Sequence, residues 1–205
     1  RRASTGRNSI GIRSNFEREL RMESEGPLRI LGIDPGSNVT GYGVVDCLGG
    51  RRLVHVASGT LRPPRTASLS ARLDVIYRAI VEVIGQHRPD AAAVEQVFVA
   101  ANPRAALVLG QARGVALAAA AAAELGVTEY AATRIKAAVA GSGRARKAQV
   151  QHMVRRLLDL ESRPDPDAAD ALAVAICHAH AGRLGSIRIG SRNARRVVAR
   201  PRSRL

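Results

Sequence analysis

The 205-residue chain has no tryptophan, three tyrosines and two phenylalanines, so aromatic residues make up only 2% of it. A core of bulky rings is excluded, and small aliphatic side chains, alanine above all, must fill the interior. Cysteine is nearly as scarce. Cys47 and Cys177 stand alone with no CxxC spacing, which argues against a disulfide scaffold and for a reduced cytosolic chain. No run of about 18 consecutive apolar residues occurs; the longest, 115–123, is mostly alanine and too short to span a bilayer. Near the first residue there is arginine but no apolar segment resembling a signal sequence. A cytoplasmic location without membrane attachment is therefore expected. Lysine is almost missing, since of 32 basic residues only Lys136 and Lys147 are lysines. Acidic residues are absent from 183–205, which carries eight arginines.

What is present is a large positive excess, a formal net charge of +15. Such a balance favours a polyanionic partner, nucleic acid before membrane. The charge is uneven: 1–27 holds six Arg and four Glu, 28–182 holds 18 basic and 13 acidic groups, and 183–205 holds the eight unpaired arginines. Residues 1–27 show no hydrophobic periodicity and read as a flexible extension. Residues 183–205 read as a basic, disordered tail. The stretch between them, 28–182, is long enough for one domain with a sizeable core.

That domain is organised around LRILGIDPGSNVTGYGVVD, residues 28–46. An apolar run at 28–33 ends at Asp34-Pro35-Gly36, and a second β-prone run returns at 40–46: strand, tight turn, antiparallel strand. Pro35 fixes φ and Gly36 permits positive φ, which turns the chain away and leaves the Asp34 carboxylate at the sheet edge. Residues 52–61 alternate as a third strand. Ser68 then precedes apolar residues at helical spacing up to Pro89. A short buried strand at 91–94 ends on Glu95. Asn102-Pro103 opens a small-residue helix to about Leu125, in which Gly110 and Gly114 allow close packing on a sheet or a partner subunit. A weak strand at 128–132, a short helix from Thr133, a helix from Lys147 and a last helix from Asp167 to about Gly182 complete the chain. The order predicts an α/β fold with a mixed five-stranded sheet flanked by helices.

Four acids stand out by context. Asp34 and Glu95 end strands, where a carboxylate near a sheet core must meet a cation, a hydrogen-bond network or a metal. Asp167 and Asp170, spaced i, i+3, face one side of the last helix at its first turn. Taken singly, each has an ordinary structural reading; Asp at a helix start is favourable as a cap alone. Taken together, two acids from adjacent strand ends and two from a helix crossing the sheet make an all-oxygen pocket. It suits Mg²⁺ or Mn²⁺ and not zinc. Two such ions can clamp a phosphodiester and ionise a water for in-line attack.

LGIDPGSNVTGYGVV, VEQVF, ALVLGQARGVA, GRARKAQVQHMVRRLL and DAADALAVAICHAH, in this order and spacing, resemble the RuvC family of Holliday-junction resolvases over about 28–182. The resemblance implies an RNase H-like fold, a homodimer and Mg²⁺-dependent nicking, two ions per subunit, at four-way DNA junctions during homologous recombination and DNA repair. It also implies junction-binding and branch-migration motor proteins as partners and a bacterial, nucleoid-associated setting. By matching motif, the acidic tetrad falls on Asp34, Glu95, Asp167 and Asp170. The junction-core aromatic falls on Phe98, and the basic DNA contacts fall on Lys136 and Lys147. Arg146 departs from the family pattern and adds a cation beside Lys147. His152, His178 and His180 read as structural or surface groups, and Asp165, between two prolines, as a turn residue.

Two rivals share the core hairpin. An actin-like nucleotide-binding protein grips phosphates with a similar strand–Asp–Gly-turn–strand unit, though such proteins generally need two of these domains. Another RNase H-like nuclease, or a binder without chemistry, is the second; the complete tetrad argues against the binder.

Overall fold

The computed structural model describes residues 27–48, 52–96 and 102–184. Five strands form one sheet in the order β3-β2-β1-β4-β5: β1 (Leu28–Asp34), β2 (Thr40–Cys47), β3 (Leu53–Leu61), β4 (Ala91–Glu95) and β5 (Gly126–Tyr130). β2 runs antiparallel to β1 and β3, while β4 is parallel to β1 and β5 parallel to β4. The mixed sheet expected from the sequence is borne out. The helices are α1 (Leu69–His87), α2 (Pro103–Ala122), α3 (Ala132–Ala140), α4 (Lys147–Leu157) and α5 (Pro166–Leu184).

Side chains alternate along each strand, so the sheet has two faces with separate cores. Leu31, Ile33, Val44 and Val94 pack with Ile76, Ile80, Val83 and Ile84 of α1 and with Ala116 and Ala119 of α2. Ile30, Val45 and Ala93 face the other way, against α3, α4 and α5. Two residues after Gly32, Asp34 falls on the α5 face, and two after Ala93 so does Glu95. Strand periodicity alone thus aims both acids at the helix that carries the other two.

α5 is apolar all round because it is covered all round. From Ala168 to Cys177 every residue except Asp170 is buried, enclosed by the sheet on one side and by α3 and α4 on the other. It lies on a floor of glycines. A Cβ on Gly32 would collide with the Ala171 carbonyl and stand 2.7 Å from the Ala175 nitrogen. On Gly41 it would strike the Asp167 carbonyl, and on Gly43 it would come within 2.7 Å of the Leu172 side chain. The helix therefore sits closer to β1 and β2 than any side chain there permits.

Several boundaries differ from expectation. β5 begins at Gly126 and ends at Tyr130, because its parallel register pairs Ala91 with Gly126 and Glu95 with Tyr130; the glycine hides the strand's start. α3 begins at Ala132, capped at Ala131 by no side chain, so Thr133 lies inside it. α2 stops at Ala122, where Glu124 takes a left-handed φ of 56°. Gly36 is not among the residues at positive φ. It is required for proximity, since a Cβ there would collide with the Val39 carbonyl, and Thr40 Oγ1 closes the turn by donating to Gly36 O at 2.7 Å. A Cβ on Gly110 or Gly114 would meet nothing within 4 Å outside its own helix, so these glycines do not serve packing on the sheet.

At the end of β1 opposite Asp34, Arg29 clasps three segments. Its Nε and Nη2 donate to Asp46 Oδ1 and Oδ2 at 2.7 and 2.8 Å, and Nη1 donates to His87 O at 2.9 Å. Its backbone N–H donates to Asp90 Oδ2 at 2.7 Å. Asp46 is buried at 8% exposure, so Arg29→Ala leaves a buried carboxylate without its fork of donors. The expected loss is about 2–3 kcal/mol, read as a lower denaturant midpoint with an unchanged m-value.

Candidate active site

Asp34 and Glu95 lie on neighbouring strands, one residue beyond the Ile33–Val94 pair of the parallel register. Pro35 and the turn that follows carry the chain off the sheet. Arg72 of α1 holds this turn, donating from Nε and Nη2 to Ser37 O at 3.1 and 2.6 Å and from Nη2 to Asn38 Oδ1 at 2.8 Å. The strand end that presents Asp34 is thereby fixed on both sides.

The start of α5 is held as firmly. Asp165 Oδ1 accepts the Asp167 N–H at 3.1 Å and the Asp165 carbonyl accepts the Ala169 N–H at 2.8 Å. Asp165 is thus the helix cap, in keeping with its reading as a turn residue. Arg62, just past β3, reaches over with Nη2 at 2.8 Å from Asp165 Oδ2 and 4.0 Å from Asp167 Oδ2.

Ligand atoms of Asp34, Asp167 and Asp170 all lie within 4.8 Å of one another. Glu95 stands beside this triad and not within it. Its charge acts on Asp34, and that of Asp170 acts on it in turn. Burial, then the charges of Glu95, Asp170 and Asp167, push the Asp34 carboxyl up to about 7, against a smaller opposing pull from Lys147. Glu95 is raised by burial and by Asp170, with Lys136 and Lys147 pulling it down. Asp170 is raised because burial outweighs its hydrogen bond to Lys147. Lys147 Nζ sits 2.5 Å from Asp170 Oδ2, and that bond holds the ammonium above its ordinary value. Glu95, Asp170, Lys136 and Lys147 line a pocket of about 190 Å³ between α3, α4 and α5.

The donor set fits divalent cations. It is all carboxylate oxygen, with neither sulfur nor imidazole in the triad, which suits Mg²⁺ or Mn²⁺. Acids crowded until one resists ionisation gain from a positive charge placed among them.

Of the residues singled out in the sequence, Asp34, Asp167 and Asp170 come together, Glu95 adjoins them, and Lys136 and Lys147 stand at their rim. Arg146 is exposed just before α4, its backbone N–H donating to Gln149 Oε1 at 2.8 Å. Phe98 lies outside the described residues, as do 1–26 and 185–205. The histidines stay out of the site: His178 Nδ1 is 3.0 Å from Tyr130 OH, His180 Nδ1 is 3.1 Å from Ala138 O, and His152 is exposed. Arg62 and the glycine floor escape notice in the sequence. The spacings Gly32-x-Asp34 and Gly41-x-Gly43, each on one strand face, are the signal that finds the floor.

Residues 30–178 match the family described as Crossover junction endodeoxyribonuclease RuvC. A relative of that name from Burkholderia vietnamiensis is 55% identical over 161 residues, covering 78% of this chain and 88% of the relative. One from Shewanella piezotolerans is 52% identical over 166 residues, covering 81% and 95%. Among solved structures, Thermus thermophilus RuvC in complex with Holliday junction substrate superimposes with a TM-score of 0.73 at 35% identity, covering 78% of this chain and 97% of that one.

Proposed function

The chain belongs to the RuvC family of crossover junction endodeoxyribonucleases, and from that premise we propose that Asp34, Glu95, Asp167 and Asp170 hold the divalent ions at which four-way DNA junctions are cut. The protein is a metal-dependent endodeoxyribonuclease with an RNase H-like fold, a hydrolase of recombination and repair that resolves Holliday junctions. The observation that carries the site is the convergence of acids from the ends of β1 and β4 and from α5, with the Asp34 carboxyl pushed up to about 7 by burial and its neighbours. When bound, two Mg²⁺ ions, or Mn²⁺ in their place, supply the Lewis acidity and the water activation for in-line phosphodiester hydrolysis.

The chain's own residues do the rest. Asp34 and Glu95, on rigid strand ends, and Asp167 and Asp170, on a capped helix, set the ligand positions. Lys147, hydrogen-bonded to Asp170, and Lys136 beside Glu95 balance the acids and take phosphate oxygens of the strand being cut. Arg146 adds a phosphate contact next to Lys147, and Phe98 stacks on an unpaired base at the branch point. Lys147→Ala therefore loses both junction affinity and cleavage rate, each by about 10–100-fold, measured by binding in Ca²⁺ and single-turnover nicking in Mg²⁺.

The partners follow the same reading. The enzyme works as a homodimer, which brings two sites to one junction. α2 supports this with an uncovered face: Leu107 is 70% exposed, Gly110, Gly114 and Ala118 are exposed along the same side, and only Ala112, Ala116, Ala119 and Ala120 are buried. α2 is also long and apolar enough to cross a membrane by length and composition alone. Its Arg113 is ion-paired with Glu129 of β5, which supports a helix docked on the sheet. Junction-binding and branch-migration motors act with the dimer in the bacterial cytoplasm, at the nucleoid. Residues 28–182 are the nuclease domain on this reading, and the eight arginines within 183–205 supply contacts to duplex phosphates.

Cleavage assays on a four-way junction, a linear duplex and an RNA–DNA hybrid, each with Mg²⁺ and with Ca²⁺, test the reading. Paired nicks confined to the junction and to Mg²⁺ are expected. Preference for the hybrid would turn it toward another RNase H-like nuclease, and ATP binding toward an actin-like protein.

A further inference from the structure

The acid cluster has two flanks. On one, Glu95 and Asp170 border the small lysine pocket. On the other, Asp167 opens into a cavity of about 600 Å³ to which nothing above assigns a role. Its walls are the β1–β2 turn, the first turn of α1 and the first turns of α2. The turn wall is rigid, since Arg72 ties down both Ser37 and Asn38. Arg104 lines the opposite side, exposed, with no partner for its side chain among the described residues. Between them lie Val39, Val108 and Leu109, all half-buried. The cavity thus pairs a cationic rim with an apolar floor. That combination suits a ligand with one anionic end and one flat, apolar end.

The lysine pocket is lined by Glu95 and Asp170 and this cavity by Asp167, so the two border the acid cluster through different acids. We propose that the cavity is a subsite for one nucleotide of the cut strand, the one next to the scissile phosphate on the Asp167 side. Its base and sugar rest on Val39, Val108 and Leu109, and its phosphate meets Arg104. This subsite rests on the nuclease reading above and adds to it where the strand is held and by what.

Two variants of the full chain test it. Arg104→Ala removes the cation at the rim. Ala105→Leu, at an exposed helix position facing the cavity, fills the space without touching the core. Arg104→Ala is expected to weaken junction binding in Ca²⁺ about 5–10-fold and to flatten the log K against log salt slope by about 0.9. Ala105→Leu is expected to slow Mg²⁺-dependent nicking about tenfold with an unchanged melting midpoint. Junctions carrying one abasic nucleotide, either 5′ or 3′ of the scissile phosphate, locate the subsite. On one of the two, the wild-type rate falls to that of Ala105→Leu, and the variant loses nothing further. Variants that bind and nick like wild type, or equal losses on both abasic junctions, overturn the subsite while leaving the nuclease reading intact. A wild-type chain that nicks no junction in Mg²⁺ overturns the nuclease reading, and the subsite with it.

Discussion

Asp34→Asn is expected to abolish junction cleavage by at least about a thousandfold, or roughly 4 kcal/mol of barrier, while making the metal-free protein more stable at pH 8. Both effects have one origin. In the folded chain the Asp34 carboxyl is pushed up to about 7 by burial and by Glu95, Asp170 and Asp167; in the unfolded chain it titrates near ~4. Between these values the native state holds a proton that the unfolded state has released. Stability through this group therefore falls as pH rises from about 4 to 7 and stays low above that. The cost is on the order of 4 kcal/mol. Asparagine removes the ionisation and the cost together, and with them a ligand charge. Thermal melts in a chelator from pH 5 to 8 check the stability half: wild type should decline relative to Asp34→Asn, and Mg²⁺ should restore wild type far more than the variant. Parallel pH profiles would mean that the acids are not crowded. Near-normal nicking by the variant would take Asp34 out of the site.

Gly41→Ala is the second large effect, from one methyl group on a residue without a side chain. The new Cβ points at the Asp167 carbonyl, which belongs to the first turn of α5 and cannot yield alone, because Asp165 and Arg62 hold that turn. Helix and strand must part. Overpacking of this kind costs about 2–3 kcal/mol, and an ångström of misplacement among catalytic groups costs about a hundredfold in rate. Cleavage should therefore fall about a hundredfold even where the protein is fully folded, with junction binding in Ca²⁺ kept. Gly85→Ala in α1 is the control: nothing lies within 4 Å of its Cβ, and alanine in an exposed helix adds up to about 1 kcal/mol. Equal behaviour of the two substitutions would refute the glycine floor.

These two residues also mark how far the sequence is legible. Asp34 can be found because an acid that closes an apolar run has few ordinary explanations, and Glu95 because it interrupts one. Asp167 and Asp170 can be found by helical spacing. The opening hairpin and the mixed character of the sheet follow from the alternating strands, while the strand order is supplied by the fold. Gly41 is opaque for a physical reason: a glycine's function here is the space it leaves, and the occupant, Asp167, is far along the chain. Gly36 misleads for the same reason, having the look of a residue chosen for its φ when it is chosen for the nearness of Val39. Arg62 is one arginine among many, and only the folded chain brings it to Asp165. The start of β5 is hidden because Gly126 is a poor strand former held in register by β4.

The covered, glycine-seated position of α5 bears on when the enzyme comes into being. α5 is the last helix among the described residues and also their central one, packed against β1 and β2, the first described strands. The contacts that complete the nuclease thus span most of the sequence, the kind of non-local closure that sets slow folding. A nascent chain that has not yet reached Asp167 lacks two of the four acids proposed to hold the metal and leaves the α5 side of the sheet bare. Ribosome-bound intermediates should therefore be incapable of nicking DNA and open to chaperones on that face. Competence to cut arises late and all at once, when α5 drops into its groove.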